Sequence, residues 1–289
     1  MKYRTECIQC GVGRAIYEAN ELIGSEGDRF KILKEVLALL SENVSIHRVP
    51  AEIGTLREKL FARYFNGRDP FFELKHLCNK EAEEIIPFIK EYYKKADDKI
   101  EALLRIMALG NSMEFGVKDH DFKLGAFKNE VDAILKEPLS TDMDEVKARL
   151  QRFEKILYLT DNAGEVVMDK FAIDCLLEMG KEVVVSPKSS YIINDATVDD
   201  LEEIGLDYID VIPTTPFIGI DVKNLPPDFE ELFWDDECLI VAKGMGMYEN
   251  MSEMDQQLRG RLIYVLRAKC RPVADNLGVP RGALVARCV

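Results

Sequence analysis

No apolar run in the sequence approaches the roughly 18–20 residues that a membrane helix needs. The opening MKYRTECIQC also has no apolar stretch of signal-peptide length. The expectation is a cytoplasmic chain with no membrane partner. Histidine is scarce: His47, His76 and His120 all fall in the first half and show no ligand spacing, so a histidine-built metal centre is not expected. Basic residues are short too. With 38 Lys+Arg against 52 Asp+Glu the formal charge is −14, which argues against gripping nucleic acid by neutralising its phosphates. A phosphorylated small molecule stays open as a partner, because a local pocket can be cationic on an acidic protein. The seven cysteines are odd in number and scattered, unlike a secreted disulfide framework. Cys7-Ile-Gln-Cys10 lacks a second pair or a nearby His, so it supplies half a tetrahedral zinc site. A structural or redox pair and two ordinary thiols both remain open.

What is present is globular composition: 289 residues, 47% hydrophobic and 31% charged, which excludes general disorder and suits two domains at about 100–200 residues each. Apolar residues at helical spacing predict helices over 30–40, 55–64, 98–110 and 141–153, and over 71–94 with a kink or break at Pro87. The first half, 1–153, reads as all-α. From 154 to 289 the pattern changes to short apolar runs at 156–160, 182–186, 208–212, 238–242, 262–266 and 283–286, with helical or loop segments between most of them. That alternation predicts an α/β domain: a mostly parallel, Rossmann-like sheet covered on both faces. In such a sheet, ligands bind at the carboxyl ends of the strands.

The richest strand end is Asp161-Asn162-Ala163-Gly164-Glu165. Asp161 and Asn162 offer oxygens that suit a hard divalent cation. Gly164 allows close approach at the start of the following helix, whose free N–H groups favour an anion. The next strand leads to Asn194-Asp195, and Asp195 is the candidate third ligand. Lys243 and Lys269 follow two further strands and are candidate partners for a substrate phosphate. The GxSxG, HExxH, GxGxxG and GxxxxGK[ST] motifs are absent. So is the DxDx[TV] arrangement of haloacid-dehalogenase phosphatases, because position 163 is Ala.

These ordered motifs, together with Gly110-Asn-Ser-Met-Glu-Phe-Gly116 and Lys269-Cys-Arg-Pro-Val-Ala274, give the chain a resemblance to the metal-dependent damage-control phosphatases. That family is also known as the domain of unknown function eighty-nine, and the likeness is to the prokaryotic branch with an N-terminal CxxC. The resemblance implies a helical N-terminal region on a Rossmann-like α/β/α domain. It implies a divalent cation (Mn, Co, Ni or Mg) on Asp161, Asn162 and Asp195. Lys243 and Lys269 match positions that contact the substrate phosphate, and the implied substrates are phosphate monoesters of small metabolites. Asp161, Lys243 and Lys269 are then the expected catalytic residues. Asn111, Gly164, Glu165 and Asn194 join the two lysines as expected substrate contacts. Two positions depart from the pattern: Met247 stands where relatives often carry Asn, and Ser190 where many have Pro. The competing readings are an S-adenosylmethionine-dependent carboxyl methyltransferase and a non-enzymatic metal- or metabolite-binding protein.

Overall fold

The computed structural model describes residues 1–113 and 127–289. The chain begins with helices α1 (Thr5–Leu22), α2 (Glu26–Asn43), α3 (Pro50–Ala62), α4 (Phe72–Lys95), α5 (Lys99–Gly110) and α6 (Phe127–Leu135). Strand β1 (Leu139–Thr141) and helix α7 (Met143–Arg152) lead to β2 (Lys155–Leu159), α8 (Glu165–Glu178), β3 (Glu182–Ser186), α9 (Val198–Glu203) and β4 (Asp210–Val211). Then come α10 (Pro227–Phe233), β5 (Cys238–Lys243), α11 (Gly244–Met251), β6 (Leu262–Arg267), α12 (Arg271–Leu277) and β7 (Leu284–Cys288). Local chemistry sets several helix starts. The side chains of Ser25, Asp98 and Asp142 accept hydrogen bonds from first-turn amides, and proline opens α3.

The strands form one sheet in the order β1-β7-β6-β5-β2-β3-β4. Every pairing is parallel except β6 with β7. Alternate strand residues enter opposite layers. In β2, Ile156 and Tyr158 pack with residues of α4–α9, while Leu157 and Leu159 pack with α10–α12. Burial on both faces is why these strands read as unbroken apolar runs. A separate cluster that includes Ala15, Ile32, Val36, Ile53 and Phe61 joins α1, α2 and α3. The mostly helical N-terminal part and mainly parallel sheet agree with the expectation from sequence.

Three details differ. The first half is not all-α, because residues 139–141 pair with β7 at the sheet edge; three residues are too few for a period-2 signal. Helix α4 runs on through Pro87 without ending there. Cys7 and Cys10 lie in the first turns of α1, a helix the apolar pattern did not predict, and neither is in a disulfide. Part of the Gly110–Gly116 motif and His120 lie outside the described residues. No helix among the described residues is long and apolar enough to cross a membrane.

The topology selects one strand end. From β2 the chain moves outward to β3 and β4, then returns to β5 on the other side of β2. A crevice at such a reversal is where an open parallel sheet takes its ligands. The turn after β2 is tightly built: Gly164 has φ +78°, and an added Cβ would lie 2.9 Å from Cys78 Cβ on α4. Gly164→Ala is therefore expected to lower stability by about 1–3 kcal/mol. Urea denaturation measures this, and an unchanged midpoint would contradict the packing described.

Candidate active site

The loops after β2 and β3 are laced together. The Ala196 amide donates to the Asp161 carbonyl at 2.7 Å and the Ala163 amide to the Asn194 carbonyl at 2.9 Å, flanking a bridge between Asn162 and Asp195. A capping box follows, in which Thr197 N and Oγ1 both donate to Asp200 Oδ2. Lys75 of α4 pairs with the same carboxylate at 2.6 Å. Asp161, Asn162 and Asp195 are thereby brought to one place. Asp161 also lies against the start of α11: a Cβ on Gly244, whose φ is +80°, would come within 1.8 Å of Asp161 Oδ2. Only glycine fits there.

Beneath this surface is a buried charge cluster. Lys243 Nζ is completely enclosed and donates to Glu165 Oε1 at 2.5 Å, Asp169 Oδ1 at 2.7 Å and the Met107 carbonyl at 3.0 Å. Burial lowers the Lys243 pKa, but the Asp169 and Glu165 carboxylates outweigh it and leave it raised. Burial pushes the Asp169 carboxyl up while Lys243 opposes the shift. Tyr158 adds a hydroxyl donor to Asp169 Oδ1 at 2.7 Å. Asn111 Nδ2 bridges upward, donating to Asp161 Oδ2 at 2.8 Å and Glu165 Oε2 at 2.9 Å, while its Oδ1 accepts from the Arg267 amide at 3.0 Å. Asn162 Nδ2 donates to Asp161 Oδ2 as well, at 2.8 Å.

The structure places several of the expected substrate contacts inside the protein. Lys243 and Glu165 face each other inside the protein, so neither offers an open surface to a phosphate. Asn111 is fully buried and orients Asp161. Gly164 turns toward α4, where its amide donates to Asn79 Oδ1 at 2.6 Å, leaving that helix-start N–H already engaged. Asn194 is buried as well, and its Nδ2 has no hydrogen-bond partner. Lys269 is buried in the loop between β6 and α12.

Strand parity explains the inward turn of Lys243. Leu239 and Val241 face the α4–α9 layer, and Lys243 continues that set two residues on. Glu165 and Asp169 are four apart on α8 and share a face, so both carboxylates reach the same ammonium group. Lys188, like Asp169, was missed by sequence reasoning, although it too follows a strand end. Its Nζ is buried, donates to the Gly219 carbonyl at 2.6 Å and lies 3.9 Å from Asp195 Oδ2. Burial lowers its pKa, opposed by the charges of Asp195 and Asp161.

Two carboxylates and one amide form an oxygen donor set that fits a hard divalent cation. With Nδ2 turned to Asp161 and Glu165, Asn162 keeps Oδ1 as its donor end. No group of three or more His, Cys, Asp or Glu side chains among the described residues is arranged to hold a metal. A cation here would use the mixed carboxylate–amide set, with coordination positions left for water or substrate.

The buried cluster has a direct stability test. Lys243→Met leaves Glu165 and Asp169 uncompensated and is expected to cost about 3–5 kcal/mol. Adding Glu165→Gln and Asp169→Asn should recover part of the loss. Chemical denaturation of both variants checks this, and wild-type stability in the single variant would contradict it.

Known proteins resemble this chain along nearly its whole length. A family model described as the damage-control phosphatase ARMT1-like domain matches residues 3–285. A damage-control phosphatase of Pyrococcus horikoshii is 32% identical, covering 99% of this chain and 97% of its own. One from Archaeoglobus fulgidus is 30% identical over the full length of both. The crystal structure of a DUF89 family protein from Pyrococcus horikoshii superposes with a TM-score of 0.87 at 32% identity, covering 100% of this chain and 99% of that one. A chain matched in sequence and fold over nearly all its length belongs to the damage-control phosphatase ARMT1-like domain family.

Proposed function

We propose that the protein is a metal-dependent phosphatase that hydrolyses phosphate monoesters of small metabolites, such as sugar phosphates or damaged phosphometabolites. The observation that carries this reading is the meeting of Asp161, Asn162 and Asp195 at the reversal of strand order. Relatives named as damage-control phosphatases support the phosphatase part. The three residues would hold Mn, Co, Ni or Mg through oxygen atoms. When bound, such a cation supplies a Lewis acid for a phosphoryl oxygen and lowers the pKa of a bound water.

The chain's own residues supply orientation and charge. Asn111 and Asn162 fix the Asp161 carboxylate from two sides, so its position does not depend on the incoming ligand. Lys188 holds Asp195 from below. Lys269 is the cation assigned to the equatorial phosphate oxygens, and Asn194 Nδ2 is a neutral donor to the same group. In the net reaction the P–O bond to the organic alcohol breaks, water supplies the oxygen of the new P–O bond, and the alcohol leaves with a proton. Lys243 acts one layer back, holding Glu165 and through it Asn111.

Hydrolysis of p-nitrophenyl phosphate is expected with Mn, Co, Ni or Mg and is abolished by EDTA. Asp161→Asn and Asp195→Asn should each lower kcat by at least about 100-fold. Metal-replete wild-type protein that is inactive on a broad panel of phosphate esters would overturn the proposal.

A further inference from the structure

A cavity lies away from the buried lysine cluster. It has a volume of about 200 Å³ and lies between α1, α3, the start of α4 and the loop 190–193, with one side open to solvent. Its walls are mainly apolar, with Phe61, Phe65, Phe71 and Tyr191, yet Glu18 and Glu58 also line it. Glu18 is fully buried. Its Oε1 accepts from Arg14 Nε at 2.6 Å and lies 3.7 Å from Arg57 Nη2, while its Oε2 has no hydrogen-bond partner. A buried carboxylate oxygen with no donor is costly and uncommon in a folded core. A ligand carrying a donor would remove that cost. Burial and the neighbouring Glu18 charge push the Glu58 carboxyl up to about 7, against the pull of Arg57 and Arg14.

The cavity wall is also continuous with the candidate active site. Loop 190–193 runs directly into Asn194-Asp195, and the Asp195 amide donates to the Ile192 carbonyl at 3.2 Å. Ile193 has φ +52°, a strained value for a β-branched residue. Such strain persists only where the surroundings enforce it and is concentrated at ligand-binding segments.

We infer that this cavity binds a small organic molecule with an apolar or ring-shaped body and a hydroxyl or ammonium donor that pairs with Glu18 Oε2. The volume suits a body of about benzene size, since a cavity near 150 Å³ accepts benzene. Two sources share this chemistry: the organic part of the phosphate ester itself, and a separate unphosphorylated effector. The kinetic distinction between them rests on the phosphatase reading, whereas binding itself does not.

Benzylamine is the probe, titrated by calorimetry into the full-length protein without added metal, with toluene and benzoate as controls. Saturable binding of benzylamine, and none of benzoate, is expected. Glu18→Gln should weaken binding at least tenfold, by about the worth of one charge-assisted hydrogen bond. Because Glu18 belongs to a buried ion cluster, Ala62→Phe is the second variant: it fills the cavity from a half-buried position and should abolish binding while the fold is kept. No saturable binding of benzylamine, equal binding of toluene or benzoate, or binding unchanged in Ala62→Phe would each overturn the inference. In p-nitrophenyl phosphate hydrolysis, a raised KM with benzylamine identifies the substrate's own organic part as the occupant, and a changed kcat identifies an effector. Failure of hydrolysis alone would count against the phosphatase reading and leave the binding result intact.

Discussion

The enclosed ammonium group of Lys243 is the contact on which the rest of the site depends. It joins the last residue of β5 to two carboxylates of α8 and to the Met107 carbonyl of α5, so one side chain ties the sheet to both overlying helices. A single buried charge would be expensive, and two carboxylates with one ammonium become tolerable only through close geometry and added donors. Tyr158 and Asn111 supply those donors. The result is a rigid base, and Asp161 is fixed above it by Asn111 rather than left to find its own rotamer. Preorganised acceptors of this kind cost little reorganisation when a charged ligand arrives.

Glycine and strand order do the rest. Gly244 lets the Asp161 carboxylate lie against the start of α11, a space any side chain would fill. The reversal at β2 makes the ends of β2, β3 and β5 neighbours, and the bridge between Asn162 and Asp195 closes the two acidic tips together. The helical part contributes clamps as well as cover. Lys75 and Asn79 of α4 hold the turns that carry the site, and the Ile218 amide donates to Thr55 Oγ1 of α3 at 3.0 Å.

Much of this is legible in the sequence, and the limits have physical causes. Apolar runs separated by helical periods reveal the parallel sheet, because strands buried on both faces must be apolar throughout. The acidic tips are legible because strand ends are where such sheets place ligands. The direction in which a lysine points is harder to read. Lys243, Lys188 and Lys269 all lie at or just beyond strand ends, yet Lys243 turns inward by strand parity and Lys188 turns toward Asp195. Glu165 and Asn111 look like cleft residues from their motifs, but their partners come from elements 78 and 50 positions away in the chain. Local spacing carries no record of such contacts. The edge strand at residues 139–141 is hidden for the opposite reason: it is too short to show any period.

The central claim is that the tips of β2 and β3 form one cation site, held ready by the cluster beneath it. Titration of Mn²⁺ into apo protein, followed by the loss of its free-ion electron paramagnetic resonance signal, tests this most directly. The account predicts one bound ion per chain, with affinity reduced at least about tenfold by either Asp161→Asn or Asp195→Asn. Wild-type affinity in both variants would contradict it.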